Sequence, residues 1–83
     1  MIRTIVTINS EGLEVRPIAM LVQKACKYSS NVHIEVGSKK VNAKSIMGMM
    51  SLSVHGGDQV VVITEGADEV AAADEIKTYL SNQ

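Results

Sequence analysis

The chain has 83 residues, a formal net charge of −1, two tyrosines, no tryptophan and no phenylalanine, and so lacks both the basic surface and the stacking side chains on which direct nucleic-acid binding relies. Its length suits one domain over residues 1–83, no stretch reaches the roughly 18 consecutive apolar residues of a membrane span, and residues 1–8 carry no basic region followed by an apolar run, so a cytoplasmic protein without a membrane partner is expected. Cys26 is the only cysteine, and His33 and His55 lie far apart, which argues against a disulfide framework or a metal site; no cofactor is expected.

Residues 2–8 are rich in β-branched types and can place Ile2, Thr4, Val6 and Ile8 on one face, which predicts a first strand. A turn at 9–12 leads to residues 16–27, where Ile18, Leu21, Val22 and Ala25 recur at helical spacing. Pro17 fits in the first turn, where its missing N–H has no intrahelical partner. Residues 32–36 alternate apolar and polar, Gly37 and Ser38 supply a turn, and 40–43 return as a second short strand, giving a hairpin with one wet face.

A short apolar segment at 45–52 predicts a two-turn helix despite Gly48 at its centre. Gly56 and Gly57 end that connection. Residues 59–64 form a continuous β-branched run with Val60 and Val62 directed at the core. The last element, at 68–80, starts with acidic residues and carries Ala72, Ala73, Ile76 and Leu80 at helical spacing. The order β-α-β-β-α-β-α predicts an α+β two-layer sandwich, a four-stranded antiparallel sheet covered by helices on one face.

Two segments carry the residues with chemical potential. Gly12-Leu13-Glu14-Val15-Arg16-Pro17 delivers a carboxylate and a guanidinium to a helix start. A helix N-terminus favours an anion, bound or covalently held; equally, Glu14 can simply complement the helix dipole with Arg16 solvated beside it. In Lys44-Ser45-Ile46-Met47-Gly48-Met49-Met50, Ser45 stands at an N-cap position before three methionines and an isoleucine. Either Ser45 is only a cap and the methionines fill the core, or part of the cluster is an exposed, adaptable partner surface. So short a helix cannot bury four large apolar residues on one face, so one or two should remain exposed. Blander readings suit the remaining polar residues. His33 belongs on the outer face of the hairpin, His55 in a loop without an acidic or basic partner nearby in sequence, Cys26 among the small packing residues, and Lys39, Lys40 and Lys44 on a solvated basic rim.

These two segments resemble the HPr family, the phosphocarriers of the bacterial sugar phosphotransferase system. The first is similar to that family's Gly-[Leu/Ile]-His-x-Arg-Pro motif, and the run from Lys40 through Leu52 is similar to its regulatory-serine motif almost throughout. Gly66-Ala67-Asp68-Glu69 fits as well, so the resemblance covers essentially the whole chain and implies an HPr-like open-faced sandwich. The departure is Glu14, which occupies the position of the family's phosphohistidine. The Crh branch, the catabolite-repression HPr-like proteins, likewise lacks this histidine, typically through glutamine, and Ala19 replaces a small hydroxyl residue common in phosphocarriers.

The resemblance implies that Ser45 is phosphorylated from ATP by HPr kinase/phosphorylase, and that Arg16, Ile46, Met47 and Met50 form the docking face. It also implies that the phosphoserine form is a corepressor of the catabolite control protein, a LacI-type transcription factor. The implied role is regulatory and not enzymatic. The competing readings are a phosphocarrier with an atypical active site and, more weakly, a small-ligand-binding domain, for which no pocket-forming segment is evident. The turn at 9–12 would also permit exchange of the first strand between two chains.

Overall fold

The computed structural model describes residues 1–8, 15–52 and 54–82, with the side chains of Val15 and Arg16 outside the description. β-branched residues, alternating with polar ones in β2 and continuous in β4, favour β1 (Ile2–Thr7), β2 (Asn31–Val36), β3 (Lys39–Asn42) and β4 (Gln59–Glu65), which form one antiparallel sheet in the order β1-β4-β2-β3. Between them run α1 (Val15–Cys26), α2 (Ile46–Met50) and α3 (Glu69–Ser81). This is the expected α+β sandwich with the expected element order.

Register follows from which face is buried. β4 holds the sheet together, pairing Val62 with Thr4 on one side and Ile34 on the other. Val6, Ile8, Val32, Ile34, Val60 and Val62 point under the helices and are buried, and a one-residue slip would turn them all to solvent. Against them pack Ile18, Leu21 and Ala25 of α1 and Ala72, Ile76 and Leu80 of α3, the stripes that helical spacing predicts. Each large side chain buried in this way contributes about 1.5–3 kcal/mol. The small alanines on α3 let that helix approach β1 and β4 closely.

The elements end where hydrogen bonding changes. β1 stops at Thr7, one residue earlier than predicted, yet Ile8 still donates to the Asp58 carbonyl at 3.0 Å and accepts from Gly57 N–H at 2.7 Å. Gly37, at φ +60, takes the first place of the two-residue β2–β3 loop, where an L side chain is disfavoured. Helix α2 is shorter than the predicted 45–52 because Ser51 closes it. The Ser51 N–H bonds back to the Gly48 carbonyl at 3.2 Å, and its hydroxyl donates to the same oxygen at 2.6 Å.

Two polar clasps tie α3 and its start to the end of α1 and to the segment that leads into β2. Asp68, just before α3, accepts the backbone N–H groups of Ser29 at 3.0 Å and Ser30 at 2.9 Å, and also the Ser30 hydroxyl. These donors, the Ser30 hydroxyl first, hold the Asp68 carboxyl down to about 2. Glu75 on α3 meets Lys27 at 2.8 Å and Lys24 at 3.4 Å and accepts the Tyr28 hydroxyl. Lys27 and then Tyr28 pull the Glu75 carboxyl down to about 2, and Glu75 in turn pushes the Tyr28 phenol up. At the other end of the same pair, the Tyr79 hydroxyl donates to the Pro17 carbonyl at 3.0 Å, joining the end of α3 to the start of α1.

Candidate functional site around Ser45

The chain leaves β3 through a turn organised by Asn42. Its side-chain oxygen accepts the Lys44 N–H at 2.9 Å, and its carbonyl accepts the Ser45 N–H at 3.0 Å. That turn places Ser45 in an extended conformation (φ −105, ψ 114), from which its Oγ accepts the Gly48 N–H at 3.2 Å. Ser45 is therefore an N-cap, as its residue type and position predict. Oγ serves here as an acceptor, no bond donated by its hydroxyl is found among the described residues, and the side chain is exposed. The local geometry presents a nucleophilic hydroxyl to solvent on a short, well-defined helix start.

Lys44 fixes this turn from below. Its Nζ donates to the Tyr28 carbonyl at 2.7 Å, and the Tyr28 hydroxyl continues the connection to Glu75 on α3. The Ser45 turn is thus braced against both long helices. Lys39 is anchored in a similar way, donating to the Ser51 carbonyl at 3.0 Å across the end of α2. Lys39 and Lys40 are exposed, as the basic-rim reading expects, whereas Lys44 is half-buried, its ammonium group held by the Tyr28 carbonyl.

The apolar residues of α2 divide cleanly. Met49 is fully buried and plugs the short helix into the core, whereas Ile46, Met47 and Met50 are 40%, 81% and 50% exposed. A single turn and a half can direct only one large side chain inward, so the others form an apolar surface next to Ser45. On α1, Met20 is also 44% exposed. Sequence reasoning passed over it, although a methionine lying off the buried stripe of Ile18, Leu21, Val22 and Ala25 was the available signal.

Glu14 lies outside the described residues. Arg16 is in α1, but its side chain is likewise outside the description. Among the other residues singled out, His33 is half-buried on the open sheet face, opposite Asn42 and Ile63. His55 does have an acidic partner, contrary to expectation: its backbone N–H donates to the Asp58 carboxylate at 3.0 Å and its ring Nδ1 lies 3.6 Å from the same oxygen. Cys26 is exposed instead of packed, because it falls on the last position of α1, one residue beyond the buried Ala25. No group of three or more metal-ligating side chains occurs among the described residues, nor does a helix long and apolar enough to cross a membrane.

Comparison with known proteins agrees with this architecture. The family model described as the PTS HPr component phosphorylation site matches residues 2–82. The HPr-like protein Crh of Bacillus subtilis is 46% identical over 72 residues, covering 87% of this chain and 85% of the relative. Among solved structures, the phosphocarrier protein HPr of Bacillus anthracis superposes with a TM-score of 0.90 at 38% identity, covering 95% of each chain. The crystal structure of Bacillus subtilis Crh, a swapped-domain dimer, superposes with a TM-score of 0.80 at 42% identity, covering 100% of this chain and 97% of the other.

Proposed function

This chain belongs to the HPr family of the phosphotransferase system, and from that premise we propose that it is a regulatory protein of carbon catabolite repression, switched by phosphorylation of Ser45. HPr kinase/phosphorylase transfers the phosphoryl group from ATP to the Ser45 hydroxyl. The phosphoserine form then binds the catabolite control protein as its corepressor, with Ile46, Met47, Met50 and Arg16 supplying the docking face. The observation that carries this reading is the placement of Ser45: an exposed hydroxyl at a helix N-cap, at the edge of an exposed apolar patch whose scaffold is anchored by Met49.

Phosphorylation there adds about −1.5 to −2 charges beside that patch. The Gly48 N–H already faces Ser45 Oγ at 3.2 Å, so the modified residue keeps a donor and the carrier need not refold. A partner that offers basic residues around an apolar recess would then read charge and shape together. Glu14, at the position of the family's phosphohistidine, leaves no imidazole to carry phosphate from phosphoenolpyruvate, so the protein acts as a regulator and not as a phosphocarrier. Titration of the catabolite control protein with the Ser45-phosphorylated chain tests the reading. Tight binding that is lost in unphosphorylated protein supports it, and equal binding of the two forms rejects it.

A further inference from the structure

Gly48 stands at the centre of α2, between Met47 and Met49. Methionine favours a helix, whereas glycine is the least favourable helix-interior residue after proline, so Gly48 weakens an element that is only five residues long. The usual structural reasons for a glycine do not apply to it. Its backbone is helical and has no positive φ, so the conformation admits any L side chain. Close packing does not require it either. A Cβ at this position would lie 3.6 Å from Val41 Cβ, 3.5 Å from Ser45 Cβ and 3.4 Å from Ser45 Oγ, which are ordinary van der Waals contacts.

The absent side chain does change one thing, the space beside the Ser45 hydroxyl. The nearest atom that a Cβ at position 48 would meet is Ser45 Oγ itself, and the same oxygen accepts the Gly48 N–H at 3.2 Å. That bond holds Oγ over the bare Cα of Gly48. A residue that costs a helix stability and that the resting fold does not need points to a demand made when something else occupies the site; close approach to a ligand is a use for which glycine alone is suited.

We propose that Gly48 is a specificity-determining residue for the modification of Ser45, its missing side chain providing the clearance that a phosphoryl group on Oγ requires. This role rests on Ser45 being the phosphorylated residue. In the transfer, Oγ forms a bond to the γ-phosphorus of ATP, the bond from that phosphorus to its bridging oxygen breaks, ADP leaves, and the hydroxyl proton passes to a base of the kinase. Three phosphoryl oxygens then crowd a place where the resting chain has only a hydroxyl proton. A methyl at position 48, which just touches the bare Oγ, would stand against them. Turning the Ser45 side chain away to escape the methyl would break its bond from the Gly48 N–H. An alanine is therefore compatible with the resting chain and opposed to its modification.

Steady-state phosphorylation of the native chain and of Gly48→Ala by HPr kinase/phosphorylase and ATP, with a thermal melt of each, tests this role. Gly48→Ala is expected to lower kcat by about tenfold or more while KM stays near the native value. Its melting temperature should equal or exceed that of the native chain, because alanine favours the helix. A merely structural glycine would give the opposite melting result. If the native chain takes up no phosphate at Ser45, the regulatory reading fails and the role of Gly48 with it. If the native chain is phosphorylated there, an unchanged kcat in Gly48→Ala, a loss confined to KM, or a lower melting temperature would each overturn the role of Gly48 and leave the Ser45 reading standing.

Discussion

The Asp68 carboxylate reaches across 38 residues of sequence to bind both the N–H and the hydroxyl of Ser30, so the start of α3 and the start of β2 are one structural unit. Asp68 also donates its own N–H to the Ser30 hydroxyl at 3.2 Å, which makes the exchange reciprocal. Both partners sit at chain reversals, where backbone groups would otherwise lack partners.

Acid should weaken this unit and the Glu75 clasp together. Both carboxyls lie lower in the folded protein, at about 2, than their ordinary values of 3.8 and 4.5. Their stabilisation is therefore complete above those ordinary values and is lost as pH falls toward 2. Calorimetric melting temperature should hold steady from neutral pH to about pH 5 and fall between about pH 4 and pH 2. Asp68→Asn should melt lower at neutral pH and show a shallower acid decline.

Gly66→Ala should be among the most damaging single-methyl changes in the chain. Gly66 has φ +149, and a Cβ there would lie 2.6 Å from Ser30 Oγ and 2.7 Å from its Cα. Conformation and contact both oppose the substitution, and a loss of about 2 kcal/mol or more is expected from urea unfolding. Gly37→Ala meets nothing within 4 Å and should cost less, through its turn conformation alone.

The methionines of α2 should separate by role. Met49→Ala removes a fully buried side chain and should cost about 2–5 kcal/mol of stability. Met47→Ala, at 81% exposure, should change stability by no more than about 0.5 kcal/mol while weakening association with the catabolite control protein by about 1–4 kcal/mol. Normal binding by both Met47→Ala and Met50→Ala would remove α2 from the docking face.

Glu14→His should restore at least partial phosphorylation by enzyme I and phosphoenolpyruvate, since a neutral imidazole nitrogen accepts the phosphoryl group without the fixed negative charge of a carboxylate, whose product would be an acyl phosphate of different reach and geometry. The same variant should keep Ser45 phosphorylation, because the two sites are separate segments. Labelled phosphoenolpyruvate gives the readout, and efficient transfer by the native chain would contradict the regulatory assignment.

Local chemistry explains what was legible in the sequence. The stripes Ile18, Leu21, Ala25 and Ala72, Ile76, Leu80, and the run at Val60 and Val62, are periodic and all are buried. Ser45 as an N-cap was likewise readable, because capping depends on residues three apart. Partnerships distant in sequence were hidden: Asp68 reads as an acidic residue before a helix, and nothing near it names Ser30. Lys44 looks like a surface lysine until the fold brings the Tyr28 carbonyl to it. For Cys26 one step along the helix decided the outcome, since a residue at the end of the apolar stripe turns outward there. In α2 the sequence showed that the apolar side chains exceed the space beneath them, but only packing selects Met49 over its neighbours.

Mass spectrometry of the intact chain after incubation with ATP and HPr kinase/phosphorylase tests the proposed role of Ser45 as the switch most directly. One added phosphate, mapped to Ser45 and absent from Ser45→Ala, is the predicted result. An unmodified chain, or label that persists in Ser45→Ala at Ser51 or Ser53, would contradict it.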